Sequence, residues 1–315
     1  MVDSDWASAL EILKGFQGEI FYEEPLSKHT SFKIGAAAAA VVFPKNLADL
    51  GILRDFTLKH HAPLFILGLG SNILAPDSRF PYLVMKTTKL SSGANKPAEL
   101  LNGVIRTDAS LSVAAFLRTA ASSGWDGFDF LSGIPGTLGG VVAMNGGTHL
   151  GETSDRLLSV QTFSFALNGG LREYTADALK MSYRKNHFLG PAEIVVSATW
   201  KYEAGDPAAI REKLDLLFRR RKETQPLDYP SCGSVFKNPR DSGLRAWEVI
   251  EKLGLRGHRI GGAQFAEKHP NWILNLGSAR AVDVVGLIEL AKRRARDELG
   301  IEIQEEVKIL SSKLV

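Results

Sequence analysis

The spacing of apolar residues changes several times along the chain, and each change predicts an element. Within residues 1–20, Leu10, Ile12, Leu13 and Phe16 form the apolar side of a short amphipathic helix. The run 36–43 predicts a turn into a buried strand at 41–43. Asn46 then caps a helix reaching about Lys59, and 64–67 predicts a second strand that stops at Gly68. Together these make a β-α-β unit. Strands are expected again at 82–85 and 103–107, with 91–101 as a loop between them. A helix over 110–123 places Leu111, Ala115, Leu117 and Ala120 on one side.

Alternation at 158–166, 171–174 and 193–202 predicts antiparallel strands, and Asn168-Gly169-Gly170 is a hairpin turn signal. Pro207 opens a helix through Arg221. The basic run Arg219-Arg220-Arg221-Lys222 at its end either complements the helix dipole on a solvated face or meets a ligand. Residues 226–230 read as a linker. Beyond it come a strand at 234–237, a helix at 243–253, a strand at 271–275, a helix at 281–299 and a strand at 305–310. The expected organisation is three domains, 1–80, 81–225 and 226–315.

Composition narrows the class. A chain of 315 residues with 44% apolar and 23% charged residues is an ordinary globular one. A net charge of +3 argues against a dedicated nucleic-acid binder. The single cysteine, Cys232, excludes an internal disulfide and fits a reducing compartment, so a cytoplasmic location is expected. No run reaches membrane-spanning length, and no secretory signal is expected at the acidic, polar start. The 7 histidines do not pair at metal-ligand spacing, so no metal site is expected.

Chemistry concentrates in glycine loops. Residues 130–140, Phe-Leu-Ser-Gly-Ile-Pro-Gly-Thr-Leu-Gly-Gly, can bring many backbone N–H groups to a ligand, because glycine carries no obstructing side chain. Successive amides of a tight loop make an anion-binding concavity. Gly68-Leu69-Gly70-Ser71-Asn72 is a second such loop, or else a plain strand-to-helix turn. Two glycine loops suggest a diphosphate-bearing cofactor held between two lobes. Neither is a phosphate-binding Gly-Lys-Ser/Thr loop, and neither completes the dinucleotide spacing. Strand alternation puts Cys232, Ser234 and Phe236 on one face, with Lys237 and Asn238 where the strand ends. That cluster is either a capped strand with a buried serine or a hydroxyl facing a cleft. Arg184 offers a planar fork to a carboxylate, or a surface ion pair. Of Glu305 and Glu306, only one can point inward.

Taken together, these segments resemble the UDP-N-acetylenolpyruvoylglucosamine reductase family, also called UDP-N-acetylmuramate dehydrogenases. The resemblance runs from about Leu26 to Leu310. It rests on His29-Thr30-Ser31-Phe32-Lys33-Ile34-Gly35, the 67–72 loop, 131–140 with Met144-Asn145, and Ser182-Tyr183-Arg184. It continues through 233–239, Ile260-Gly261-Gly262-Ala263-Gln264, Glu267-Lys268-His269 and Glu306-Val307. Eight motifs in the family's order are highly specific. The short span between Tyr183 and Lys237 looks like the family's shorter class, which lacks an extra tyrosine-bearing loop.

The resemblance implies an α+β fold: a two-lobed FAD-binding fold of the vanillyl-alcohol-oxidase type, with lobes 1–80 and 81–225, and a C-terminal α/β substrate domain, 226–315. It implies FAD and NADPH as cofactors and UDP-N-acetylglucosamine-enolpyruvate as substrate, in peptidoglycan precursor synthesis, by a monomer or weak oligomer. FAD contacts would come from Gly68, Gly70, Ser71, Asn72, Ser132, Gly133, Ile134, Pro135, Gly136, Thr137, Gly139, Gly140 and Asn145. Substrate contacts would come from Tyr183, Lys237 and Asn238, with the uridine diphosphate against the third domain. Catalysis would fall to Arg184, Ser234 and Glu306. Hydride arriving at C3 leaves enolate charge at C2, which Arg184 balances and Ser234 quenches with a proton. A glutamate beside that charge repels it unless protonated, so Glu306 is expected neutral or hydrogen-bonded at that step.

The chain departs from the family at four places. Ala36 to Ala40 replaces a Gly-Gly-Pro turn, Leu69 stands where glycine is common, and Gly146-Gly147-Thr148-His149 follows Met-Asn. Cys232, two residues before Ser234, is an alternative acid if it faces the same cleft. None removes a catalytic group. Two other readings keep the glycine loops: a flavin oxidase of the same superfamily, and a non-catalytic nucleotide-binding protein.

Overall fold

Short runs of β-branched and aromatic residues, punctuated by glycine and asparagine, form the strands of three larger sheets among the described residues. The structure is a computed structural model, and it describes residues 5–10, 13–240 and 242–311. The chain divides into two units. One takes residues through Glu23, then Ala39–Leu69 and Tyr82–Arg219; the other takes Glu24–Ala38, Gly70–Pro81 and residues from Arg220 onward.

A four-stranded sheet runs in the order Glu19–Pro25, Ala37–Phe43, Phe80–Lys86, Leu64–Leu67. Its last two strands are parallel, with Leu64 opposite Leu83. The helix Leu47–His60 joins strand Ala37–Phe43 to strand Leu64–Leu67, and Asn46 Oδ1 accepts from Asp49 N–H at 3.0 Å, the expected cap. Ala38 to Val42 are at most 1% exposed, so the alanine run is a buried strand whose small side chains let neighbouring layers close in.

A five-stranded antiparallel sheet follows, ordered Leu171–Thr175, Leu157–Ser164, Glu193–Trp200, Val104–Asp108, Ala98–Leu101. Helix Val113–Ser123 covers it, burying Val113, Phe116, Leu117, Ala120 and Ala121. Trp200 is fully buried, stacks near Phe116 and Phe128, and donates its indole N–H to Thr107 Oγ1 at 2.9 Å.

The second unit holds a four-stranded antiparallel sheet, Ser231–Ser234, Trp272–Asn275, Ala263–Phe265, Arg259–Ile260. Helices Ala246–Lys252 and Ala281–Leu299 pack on it. Its core also takes Phe32, Ile34 and Leu74 from far upstream.

Several elements differ from their sequence reading. The helix expected within 1–20 spans Asp5–Ala9, and a strand begins at Glu19. Gly15 takes φ +83°, a conformation that ends helices; Ile12 lies outside the described residues. Part of the loop expected over 91–101 is a strand, because Asn102 (φ 49°) and Gly103 (φ 79°) turn it into a hairpin with Leu101 opposite Val104. The apolar face of the 110–123 helix centres on Phe116 rather than Ala115. The strand expected at 234–237 is laddered over Ser231–Ser234, and the one at 305–310 only over Lys308–Ile309.

Candidate active site

In the first unit the two glycine loops adjoin. A Cβ on Gly68 would sit 3.1 Å from Thr137 Oγ1. Thr137 is 2% exposed and accepts from Gly140 N–H at 3.3 Å, starting the short helix Leu138–Ala143. Gly139 lies so close to Ala109 that a methyl group would meet its Cβ at 2.9 Å, and its N–H donates to the Ala109 carbonyl at 2.8 Å. Ser132 and Ile134 donate to Asp129 and Leu131, closing the turn before Pro135. The N–H groups of Gly133, Gly136 and Thr137 have no partner among the described residues. Gly133 takes φ +70°, so the loop turns without Cβ strain. Loosely held amides on a glycine turn suit the diphosphate of a cofactor such as FAD.

Arg184 stands at the tip of a hairpin, Met181–Ser182 against Lys185–Asn186, where a two-residue turn follows a single 3-10 turn at Ala176–Ala178. Its φ of +55° is left-handed, which costs a non-glycine residue about 1–2 kcal/mol. Strain of this kind gathers where a side chain must be aimed. The guanidinium donates to the Gly147 carbonyl at 2.7 Å and lies 5.0 Å over the Tyr183 ring. Asn145 is fully buried in the same region, and its side chain bonds Ser182 and Ser154.

In the second unit three segments, around residues 72–74, 234–238 and 304–309, bring the remaining predicted residues together. Glu306 N–H donates to the Val235 carbonyl at 2.7 Å, and Lys237 N–H to Gln304 at 2.9 Å. Asn72 donates its side-chain N–H to the Glu306 carbonyl at 2.9 Å and accepts from Lys308 N–H at 3.0 Å. The first glycine loop therefore delivers Asn72 to the segment that carries Glu306. Gly70 (φ +78°) is required there, because a Cβ would collide with the His29 carbonyl, and its own carbonyl accepts from Ser31 N–H at 3.0 Å. Glu305 turns to Lys292, 2.7 Å away, and forms an ion pair with it. Asn238 Oδ1 accepts from Ala246 N–H at 3.0 Å, capping the next helix.

The alternation expected for Cys232, Ser234 and Phe236 fails. Gly233 has φ +78°, and the ladder slips between Ser231 and Ser234. Cys232 (6% exposed) joins Val235 and Phe236 in the core, while Ser234 is half-buried outside that cluster. Burial, and then the nearby Glu306 charge, push the Cys232 thiol far above its ordinary range. It is not the alternative acid.

The same unit carries polar groups that the sequence reading passed over. Trp272 Nε1 and His269 Nδ1 are buried with no hydrogen-bond partner among the described residues, and the two rings lie 6.4 Å apart. Burial, and then the charges of Arg256 and Arg221, hold the His269 imidazole below its ordinary pKa. Arg221 is itself lowered to about 10 by burial. Orphaned buried polar atoms call for a ligand or water. The Glu267-Lys268-His269 motif signalled the histidine, whereas nothing in the local pattern separated Trp272 from a core residue.

Residues 38–166 match the family described as FAD binding domain, and 225–310 match UDP-N-acetylenolpyruvoylglucosamine reductase, C-terminal domain. The UDP-N-acetylenolpyruvoylglucosamine reductase of Lactobacillus johnsonii is 38% identical over 290 residues, 92% of this chain and 94% of that protein. The enzyme of the same name from Caldanaerobacter subterraneus is 38% identical over 303 residues, 96% of this chain and 97% of the relative. The crystal structure of UDP-N-acetylenolpyruvylglucosamine reductase from Thermus caldophilus superposes with a TM-score of 0.76 at 30% identity, covering 94% of this chain and 100% of that one.

Proposed function

The chain belongs to the UDP-N-acetylenolpyruvoylglucosamine reductase family, and from that premise we propose how its residues divide the reaction. It is an FAD-dependent oxidoreductase of peptidoglycan precursor synthesis. Held on the glycine loops, FAD would supply the hydride chemistry, from NADPH to C3 of the enolpyruvyl ether of UDP-N-acetylglucosamine, that gives UDP-N-acetylmuramate. The unpartnered N–H groups of Gly133, Gly136 and Thr137 are the observation that carries this reading, since they fit a diphosphate and nothing in the described chain uses them.

Arg184 holds the substrate carboxylate and balances the charge that builds at C2. Its bidentate fork suits a carboxylate better than a point charge does. Ser234 donates the proton to C2. A hydroxyl is a poor acid, so its proton moves as the enolate charge grows, with Lys237 or a water easing the transfer. Glu306 is neutral or hydrogen-bonded at that step. Tyr183, Lys237 and Asn238 contact the substrate. The buried, unpartnered nitrogens of Trp272 and His269, with Arg221 close enough to shift the imidazole, favour placing the uridine diphosphate against this unit.

An anaerobic titration tests the reading. NADPH is added to the purified holoenzyme until the flavin band bleaches, and UDP-N-acetylglucosamine-enolpyruvate follows. Bleaching and then recovery is the expected result. A flavin that stays reduced overturns the substrate assignment, and one that NADPH leaves oxidised overturns the reductant.

A further inference from the structure

We propose that Asn145 is a positioning residue for Arg184 and not a ligand of the cofactor; the inference rests on the role given to Arg184 above. The hairpin that presents Arg184 has two residues in each strand, and an isolated hairpin of that size has little stability of its own. It also carries Arg184 at φ +55°. Something outside the hairpin must therefore hold it: Leu179, Met181 and Phe188 pack against the core, and residues 143–147 add polar ties.

Asn145 supplies the central tie. Its Nδ2 donates to the Ser182 carbonyl at 3.1 Å, one residue before Tyr183-Arg184. Its Oδ1 accepts from Ser154 N–H at 3.0 Å. One rigid amide plane thus links the hairpin to a separate loop. Asn186, on the other strand, donates to the Ala143 carbonyl, and the Arg184 guanidinium reaches the Gly147 carbonyl at 2.7 Å. One tie is donated by the 143–147 segment and two by the hairpin, so both strands and the tip are held against that segment.

The residue type fits the task. Asn145 has φ +46°, which asparagine tolerates better than most residues. It must donate on one side and accept on the other, which aspartate cannot do when ionised. It is 0% exposed, so its side chain offers no face to a cofactor. An unanchored tip would let the guanidinium wander, and a displacement of about 1 Å near reacting atoms costs on the order of 100-fold in rate.

A double-mutant cycle on the holoenzyme tests this. Asn145→Gly keeps the left-handed backbone and removes both bonds. Asn145→Asp keeps nearly the same volume and the acceptor, and removes only the donor, so it serves if the glycine variant fails to fold. Each is made alone and with Arg184→Ala. Bound FAD per chain is measured, and the reduced enzyme is mixed with UDP-N-acetylglucosamine-enolpyruvate to time reoxidation. The expected result is full FAD content, reoxidation slowed ~10–100-fold by each Asn145 change alone, and a further change of no more than about twofold when Arg184 is already alanine. Lost FAD with normal reoxidation per bound flavin overturns the inference in favour of a cofactor contact. A full multiplicative loss in the Arg184→Ala background overturns it in favour of general structure. Arg184→Ala alone reoxidising at the unsubstituted rate removes the role of Arg184 itself, and this is read from the single variant before any pair.

Discussion

Each proposed catalytic group makes a separable prediction at the residue scale. Ser234→Ala retains FAD and accepts hydride from NADPH at the normal rate, yet reoxidises with substrate ~100-fold or more slowly, because general acid transfer is lost. Stopped-flow traces of both half-reactions check this, and equal loss in both makes Ser234 structural. Arg184→Lys keeps the charge and loses the fork, so kcat/KM falls by ~10-fold or more; near-normal turnover removes the carboxylate clamp. Glu306→Gln is milder than Glu306→Ala in steady-state kcat if the neutral, hydrogen-bonding form is the working one, and the reverse order indicates an ionised carboxylate. The residue types were legible in the sequence, because arginine, serine and glutamate sit in motifs with little freedom of spacing. Their surroundings were not. Strand periodicity put Cys232 beside Ser234, but Gly233 breaks the ladder and turns the thiol into the core. A left-handed residue that flips a strand's facing is a local event which period-2 reasoning cannot register.

Elements were read well where their own residues decide them. The helix Ala281–Leu299 matches its apolar spacing from end to end. Its first turn depends on Asp283, which accepts from Arg280 N–H at 2.9 Å and Gly262 N–H at 3.2 Å and so ties the Ile260-Gly261-Gly262-Ala263 turn to the helix. Those bonds, the Arg280 one first, hold the Asp283 carboxyl below its ordinary 3.8. A lowered carboxyl pKa contributes stability that is present above the unfolded value and lost as pH falls through the folded one. Asp283→Ala is therefore expected to cost about 1–2 kcal/mol near neutrality, and to flatten the loss of stability seen below about pH 4. Denaturant melts of both proteins from pH 7 to 2.5 check it, and parallel curves would mean that the carboxylate is not held this way. Elements set by turn chemistry were missed. The Asn102-Gly103 pair makes a hairpin strand out of a stretch whose polar composition read as loop.

On the scale of the whole molecule, sequence order and spatial grouping part company. The second unit gathers Glu24–Ala38 and Gly70–Pro81 with the residues from Arg220 onward. Phe32, Ile34 and Leu74 complete its core, Asn275 donates to the Phe32 carbonyl at 2.9 Å, and Asp77 accepts from the first N–H groups of the last helix at 2.7 and 3.0 Å. A fragment of residues 226–315 lacks all of these. It is expected to be molten or insoluble, with weak near-ultraviolet dichroism and no cooperative melt, because three large apolar side chains leave a cavity that its core cannot close. A cooperative transition in that fragment would show the upstream segments to be dispensable. The sequence by itself determined the longer helices, most of the longer strands, the glycine loops and the family, since each is written in neighbouring residues whose spacing mirrors one face, one turn or one motif. Only the tertiary structure decided that Asn72 is bonded to the Glu306 segment, that Cys232 is buried, and that Trp272 and His269 keep buried nitrogens with no partner among the described residues. Those outcomes depend on which distant segments share a core, and burial and hydrogen-bond competition across more than 200 residues leave no local period to read.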